Sequence, residues 1–407
     1  MPTPTTSRSK SASEHRPRRI LLYSHDSFGL GHLRRTLNIA ERLSQRIPST
    51  SIVIATGSPC ATCFELPPNV DVVKLPAAGK DEQGNYTSRS LPGNSLAGLI
   101  RMRARILTEL VRGFRPELMI VDHKVTGLEG ELLPALERAR RQGTRLVLGL
   151  RDIIDAPESV AKEWSKHEIQ ETLAERYDRI LIYGSESVYD PRNHYPLPAE
   201  ARAKVQFTGY VVRQGNGVTY RALPPLRPQV LVTVGGGEDG VERIESYLDA
   251  IEERTPEWFT TIVLGPLLDT NKARRIKRRA RRMPSGVRVH SFYEDLPRLL
   301  ADCSAVVSMA GYNTVAEILQ ARKPAVLLPR TTPRVEQLLR AQCLAQQGLT
   351  DYLVQPSPQT LRMAVAAAVE RGRIRGLVPP LNGLDRVAEV AAEELGLPRL
   401  ESEIVSA

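Results

Sequence analysis

No uncharged apolar run in this chain reaches the roughly 18 residues that a membrane-spanning helix needs, and the N-terminus has no apolar segment of the signal-peptide kind. Both absences lead us to expect a cytoplasmic protein. Cysteine is scarce, four in 407 residues, which excludes a small secreted domain stapled by disulfides. Cys60 and Cys63 have redox or zinc spacing, but no second pair or nearby histidine completes a ligand set, so they read as ordinary thiols. The chain has no Gly-x-x-x-x-Gly-Lys-Ser/Thr loop, which argues against a P-loop kinase or ATPase. It has no serine nucleophile elbow, which argues against an α/β-hydrolase. Its first strand–helix unit does not satisfy the G-x-G-x-x-G spacing of a dinucleotide site.

What the chain has in excess is positive charge, 56 Lys and Arg against 46 Asp and Glu, a formal +10. The excess is uneven. Residues 1–18 are rich in Pro, Ser, Thr and basic side chains with almost nothing to bury, and predict a disordered basic tail. Lys272 to Arg282 predicts an exposed basic helix, either a solvated face or one that meets an anionic membrane surface or a polyanionic acceptor. Neither segment interleaves stacking aromatics, so nucleic acid is not an expected partner.

The organisation is strand, loop, helix, repeated, with 41% hydrophobic residues to build cores. Strand-like runs fall at 19–24, 51–55, 70–75, 118–122, 146–150 and 179–183, and helical spacing of Leu and Ile runs from Leu33 to Ile47. A Pro- and Gly-rich stretch, 213–227, reads as a linker. A second series of strands follows at 229–234, 260–264, 287–291, 305–308 and 325–328. The expected fold class is α/β: two Rossmann-like doubly wound domains, 19–212 and 228–375, facing each other across a cleft, with a segment 376–407 that includes a helix near 382–395 and crosses back to the first domain. Ligands belong beyond the carboxyl ends of the strands.

The stretch Ser308-Met309-Ala310-Gly311-Tyr312-Asn313-Thr314-Val315-Ala316-Glu317 reads as a buried strand running through a loop into a helix. The free N–H groups and dipole of such a helix start favour phosphate. Gly311 lets a ligand approach the backbone, Asn313 or Thr314 is expected to cap the first turn, and Glu317 lies one turn on. A carboxylate there repels phosphate but accepts hydrogen bonds from a ribose diol, which points to a ribonucleotide. Gly235, Gly236 and Gly237, between a strand and a helix, offer a second phosphate cradle. In the first domain, His32 opens a helix after a glycine loop; it serves as a base or phosphate contact, or else caps and packs. Asp122 ends a strand and is a base, the orienter of one, or a turn cap. His25 and Asp26 are weaker candidates, and Arg151-Asp152 reads equally as an internal salt bridge.

Together these residues resemble glycosyltransferase family 28. The similarity rests on His290-Ser291-Phe292-Tyr293-Glu294-Asp295-Leu296, Ala310 to Glu317, Lys323 to Pro329, Glu336-Gln337 and, in the first domain, Gly29-Leu30-Gly31-His32. It implies the GT-B fold and a UDP-sugar donor. By resemblance, Glu317 holds the ribose diol; Ala310, Gly311, Asn313 and Thr314 hold the diphosphate; and Phe292 packs on uracil. Glu336 and Gln337 meet the donor sugar, and Gly31, Gly235, Gly236 and Gly237 line the cleft near the phosphates. His32 and Asp122 carry catalysis. The implied reaction moves a hexose or N-acetylhexosamine to a hydroxyl of a lipid-linked or glycan-precursor acceptor, with inversion. It needs neither metal nor cofactor beyond the UDP-sugar co-substrate, and no Asp-x-Asp suggests a metal. A site at the inner membrane face follows from such an acceptor. The loop Phe28-Gly29-Leu30-Gly31-His32, and Glu336 where the family's peptidoglycan enzyme has a second glutamine, set the chain in a separate branch. Two rivals are a UDP-sugar epimerase of the same architecture and a non-catalytic nucleotide-sugar-binding protein.

Overall fold

The structure, a computed structural model, describes residues 17–25, 31–61, 64–80, 86–89, 91, 93–166, 168–213, 227–237, 239–293 and 295–400. Residues 1–16 of the expected tail, 214–226 of the expected linker, Asp26, Cys63 and Glu294 lie outside these. The first sheet contains β1 (Arg18–Ser24), β2 (Thr50–Thr56), β3 (Val70–Lys74), β6 (Leu118–Asp122), β7 (Arg145–Arg151), β8 (Arg179–Tyr183) and β9 (Val205–Phe207), in the order β3-β2-β1-β6-β7-β8-β9. A small antiparallel hairpin, β4 (Ala78–Lys80) and β5 (Tyr86–Ser88), stands beside it. The second sheet contains β10 (Gln229–Thr233), β11 (Phe259–Val263), β12 (Val287–His290), β13 (Ala305–Ser308), β14 (Ala325–Leu327) and β15 (Asp351–Tyr352), in the order β12-β11-β10-β13-β14-β15. Every ladder in the two large sheets is parallel.

Parallel strands covered on both faces read as continuous apolar runs, which is why Leu118-Met119-Ile120-Val121-Asp122 is buried throughout. Alternation along the strands divides the core. Ile20, Leu22, Leu118, Ile120, Val147 and Tyr183 pack with α1 (Gly31–Arg46), whereas Leu21, Tyr23, Met119, Val121, Leu146 and Leu148 pack on the other face. The first of these cores continues through Tyr210, Val211 and Val212 into Tyr312 and Val315 of the second domain, so apolar packing ties the two domains together.

Five further helices matter below: α2 (Val241–Glu253), α3 (Thr270–Ala280), α4 (Tyr312–Ala321), α5 (Glu336–Gln346) and α6 (Gly383–Glu394). The basic helix α3 is capped by Asp269, whose side chain accepts from the N–H groups of Asn271 and Lys272. Helix α6 packs on α1: Arg42 pairs with Asp385, and the buried Glu394 takes Arg145 at 2.6 Å and Arg179 at 2.8 Å. The last helix among the described residues therefore belongs spatially to the first domain.

The structure also corrects two details. Strand β1 begins at Arg18, inside the expected tail, because Arg18 pairs with Glu117 and joins the β2 ladder. Strands β9 and β15 and the hairpin, with two or three residues in each strand, carry too short a pattern to be read. Strand order reverses between β1 and β6 in one sheet and between β10 and β13 in the other. At those two switch points the loops diverge, and there the candidate residues gather.

Candidate functional site

The first switch point places His32 beside Asp122. Helix α1 starts at Gly31, so His32 and Arg35, three residues apart, share a face, and that face meets the end of β6. His32 Nδ1 lies 2.6 Å from Asp122 Oδ2. Arg35, fully buried, donates from Nε to Oδ1 and from Nη2 to Oδ2, both at 2.9 Å. Arg35 Nη2 also lies 2.9 Å from His32 Nδ1, but two donors cannot share that contact. The short distance to Asp122 assigns the proton to His32 Nδ1 and leaves the lone pair on Nε2.

Electrostatics agree with that assignment. Burial would raise the Asp122 carboxyl, but Arg35 and His32 outweigh it, and the group stays ionised below the usual carboxylate range. Burial, only partly opposed by Asp122, lowers His32 to about 4, so the imidazole is neutral near pH 7. Its side chain remains 17% exposed and open to the cleft. His25 and His123 surround it, with ring centroids 6.0 and 4.9 Å from His32, and burial holds both well below the ordinary histidine range. Among the described residues no group of three or more His, Cys, Asp or Glu side chains is disposed to hold a metal ion.

The second switch point supplies the candidate phosphate seat. Ser308 ends β13 and its hydroxyl donates to Thr233 O at 2.8 Å, joining the loop to the end of β10. Arg340, wholly buried, donates to Ala310 O at 2.9 Å and fixes the loop from behind. The N-cap of α4 is Gly311, and no side chain caps it. This corrects the expectation for Asn313 and Thr314, which lie within the first turn. Asn313 instead donates to Gly31 O across the cleft at 3.1 Å. The first-turn N–H groups of α4 therefore lack intrahelical partners and are available to an anion. Gly311 has an ordinary φ of −68°, and a Cβ there would meet nothing within 4 Å. The protein itself does not demand glycine at this position; a ligand against the backbone would. Gly237 differs, since its φ is +94° and a Cβ would sit 2.4 Å from Leu264 O.

Glu317 lies one turn into α4 with a buried carboxylate. Arg34 of the first domain donates to its Oε1 at 3.1 Å, and Oε2 is buried with no partner. Burial pushes the carboxyl up, against Arg34. Glu336 and Gln337 open α5 and converge on Arg330, whose Nη2 lies 2.6 Å from Glu336 Oε1 and whose backbone N–H donates to Gln337 Oε1 at 3.0 Å. Glu336 Oε2 is likewise buried without a partner. Phe292 stands apart beyond the outer strand β12, 53% exposed.

The geometry thus unites Gly31, His32, Asp122, Asn313 and Glu317 across the cleft, with Gly235 to Gly237 after β10 and the Glu336–Gln337 pair at the start of α5. Sequence reasoning missed four arginines: Arg34, Arg35, Arg330 and Arg340. Only Arg35 had a local signal, its spacing of three from His32. Asp152 is paired otherwise than expected, accepting from Tyr210 Oη at 2.7 Å and lying 3.7 Å from Arg340, so no Arg151–Asp152 bridge is needed.

Comparison with known proteins follows the same division. Residues 229–371, almost the whole second domain, match the family described as Glycosyltransferase family 28 C-terminal domain. A UDP-N-acetylglucosamine--N-acetylmuramyl-(pentapeptide) pyrophosphoryl-undecaprenol N-acetylglucosamine transferase of Rhodopseudomonas palustris (strain BisA53) is 27% identical over 210 residues, 48% of this chain and 56% of that protein. The chain spans about half the length of the first curated relatives it matches. Among solved structures, Acinetobacter baumannii MurG superposes with a TM-score of 0.60 at 13% identity, covering 93% of this chain and all of that one. A protein assigned as a UDP-N-acetylglucosamine 2-epimerase from Listeria monocytogenes reaches 0.62 at 12% identity, covering 96% of this chain and 100% of that one. These likenesses establish the GT-B fold.

Proposed function

Proceeding from a second domain of the family 28 C-terminal type and a GT-B fold, we propose that the chain transfers a hexose or N-acetylhexosamine from a UDP-sugar to an acceptor hydroxyl. The observation that carries this reading is the pairing, across one cleft, of an uncapped helix start followed by a half-satisfied carboxylate with a neutral, carboxylate-oriented histidine. The diphosphate lies at the first turn of α4, the ribose diol donates to Glu317, and the sugar extends toward Glu336 and Gln337. His32 Nε2 takes the proton of the attacking hydroxyl. The new C–O bond forms as the anomeric carbon releases UDP, and the N–H groups and dipole of α4 stabilise the charge that develops on the leaving phosphate. One base and one leaving-group seat describe a single displacement, which inverts the anomeric centre.

The acceptor is lipid-linked or a glycan precursor in this reading. No helix among the described residues is long and apolar enough to cross a membrane, so access to a lipid-linked acceptor is peripheral. On α3, Arg275 and Arg279 are matched by Glu245, Asp249 and Glu252 of α2, whereas Lys272, Arg274 and Arg278 are exposed. Each such cation near an anionic surface contributes about 1 kcal/mol. We therefore expect the chain to float with phosphatidylserine-containing vesicles and not with neutral ones, and to be released by salt; equal flotation with both would remove this contact.

The donor assignment is tested by Glu317→Ala. Losing a charged hydrogen-bond acceptor for the ribose should weaken UDP binding in calorimetry by about 10- to 100-fold. The fold should persist, because the Arg34 side chain is 39% exposed and loses only a partly solvated pair. Unchanged UDP affinity would sink the ribose assignment.

A further inference from the structure

Arg34 reaches from one domain to the other, and its only ion-pair partner among the described residues is Glu317, the carboxylate proposed to hold the ribose. It stands one helical turn after Gly31 on α1, so the two share a face of that helix. Gly31 O accepts from Asn313 Nδ2 at 3.1 Å, which brings the starts of α1 and α4 together. Arg34 Nη2 then meets Glu317 Oε1 at 3.1 Å, with 39% of the arginine side chain exposed. Other ties between the domains differ in kind. Arg340, wholly buried, donates to Ile153 O at 3.2 Å, and Tyr312 Oη accepts from the buried Val211 N–H at 2.9 Å. Solvent reaches the Arg34–Glu317 pair on its arginine side, which makes it the exchangeable contact.

Donor binding competes for that contact. A ribose diol carries two hydroxyl donors. Of the two Glu317 oxygens, Oε2 is buried with no partner and Oε1 is held by Arg34, so a diol that grips both displaces the guanidinium. The anion that enters with the ribose then lies beside it. Glu317 and the first-turn N–H groups of α4 are about one helical pitch, 5.4 Å, apart, within the sweep of an arginine side chain. The neighbouring arginines are committed: Arg35 to Asp122, Arg330 to Asp239 and Glu336, and Arg340 to Ala310 O behind the loop. A helix start alone offers roughly half an elementary charge, less than a departing diphosphate carries.

We propose that Arg34 is a leaving-group cation released by the donor itself: the ribose displaces it from Glu317, and its guanidinium then pairs with the diphosphate. The role rests on reading the cleft as a UDP-sugar site. As the bond from the anomeric carbon to the diphosphate oxygen breaks, its electron pair stays on that oxygen, and Arg34 offsets the charge there. The acceptor oxygen forms the new bond, and its proton goes to His32. Without a donor, Arg34 covers the carboxylate; with one, it joins α1 to a filled seat on α4.

Calorimetry with uridine and with UDP, on the full chain and on Arg34→Met and Arg34→Lys, separates the two halves of the exchange. Uridine brings the diol without phosphate, and UDP is the departed group itself. Arg34→Met should bind uridine about threefold more tightly, since nothing has to be displaced from Glu317. It should bind UDP about tenfold more weakly, for want of a charged contact to the diphosphate. Arg34→Lys, which keeps the charge without the fork, should recover part of the UDP affinity. An unchanged ratio of UDP to uridine affinity in Arg34→Met overturns the proposal. So does weaker uridine binding, which would mark Arg34 as a support for Glu317, or a lysine variant no better for UDP than the methionine one. Glu317→Ala decides the donor reading separately. If that variant binds UDP as tightly as the unchanged chain, the donor reading fails; if it weakens UDP while the Arg34→Met ratio stays fixed, only the exchange fails.

Discussion

His32→Ala should lower kcat by about 100- to 10,000-fold, the range for loss of a positioned general base, while UDP affinity stays within about twofold. The separation follows from the geometry. His32 Nδ1 is committed to Asp122, which leaves Nε2 for the proposed proton transfer, whereas the proposed phosphate seat is built from α4. The pH profile sharpens the test. Only the neutral imidazole accepts a proton, and burial sets its titration at about 4 rather than near 6.5. The acid limb of kcat/KM, which reports the free enzyme, should accordingly fall near pH 4, and His32→Ala should abolish that limb. An acid limb near 6.5, or turnover unaffected by the substitution, would remove His32 as the base.

Asp122→Asn should have the largest effect on stability. Arg35 is fully buried, and both ends of its guanidinium fork rest on Asp122. Replacing the carboxylate by an amide keeps the shape and leaves the cation unmatched, which typically costs about 3–5 kcal/mol. Arg35 also lies 5.5 Å from the Tyr183 ring centroid and 5.4 Å from that of Tyr312. Strain at this point therefore reaches the domain interface. Adding Arg35→Met to Asp122→Asn should recover most of the loss, since the orphaned charge is then gone. Urea unfolding of the single and double variants measures both. A loss below about 1 kcal/mol in the single variant, or no recovery in the double, would show that the Arg35–Asp122 pair is not the support assigned to it.

Much of the fold is legible because parallel strands buried on both faces leave unbroken apolar runs. Leu118–Asp122, Arg179–Tyr183 and Ala305–Ser308 match their sequence-based bounds to the residue. Strand β15, two residues long, exists only because β14 offers it an edge. At the site, a carboxylate one turn into a helix and a histidine at a helix start are local patterns, so Glu317 and His32 could be singled out. The arginines could not. In a chain carrying +10, no local pattern sets Arg34, Arg330 and Arg340 apart from the other arginines. Only tertiary placement turns Arg340 into a wholly buried clamp on Ala310 and sets Arg34 against Glu317. The misplaced helix cap has a similar cause: Asn313 has a better partner in Gly31 O, on a helix 282 residues away in sequence.

One cleft is proposed to bind a UDP-sugar through Glu317 and to transfer its sugar through His32. The most direct measurement is UDP release over a panel of UDP-sugars, with and without lipid extract, by the unchanged chain and by His32→Ala. We expect release for at least one UDP-sugar that depends on the extract and is lost in His32→Ala. Release of UDP, or conversion of the sugar, at the same rate without any acceptor would contradict it.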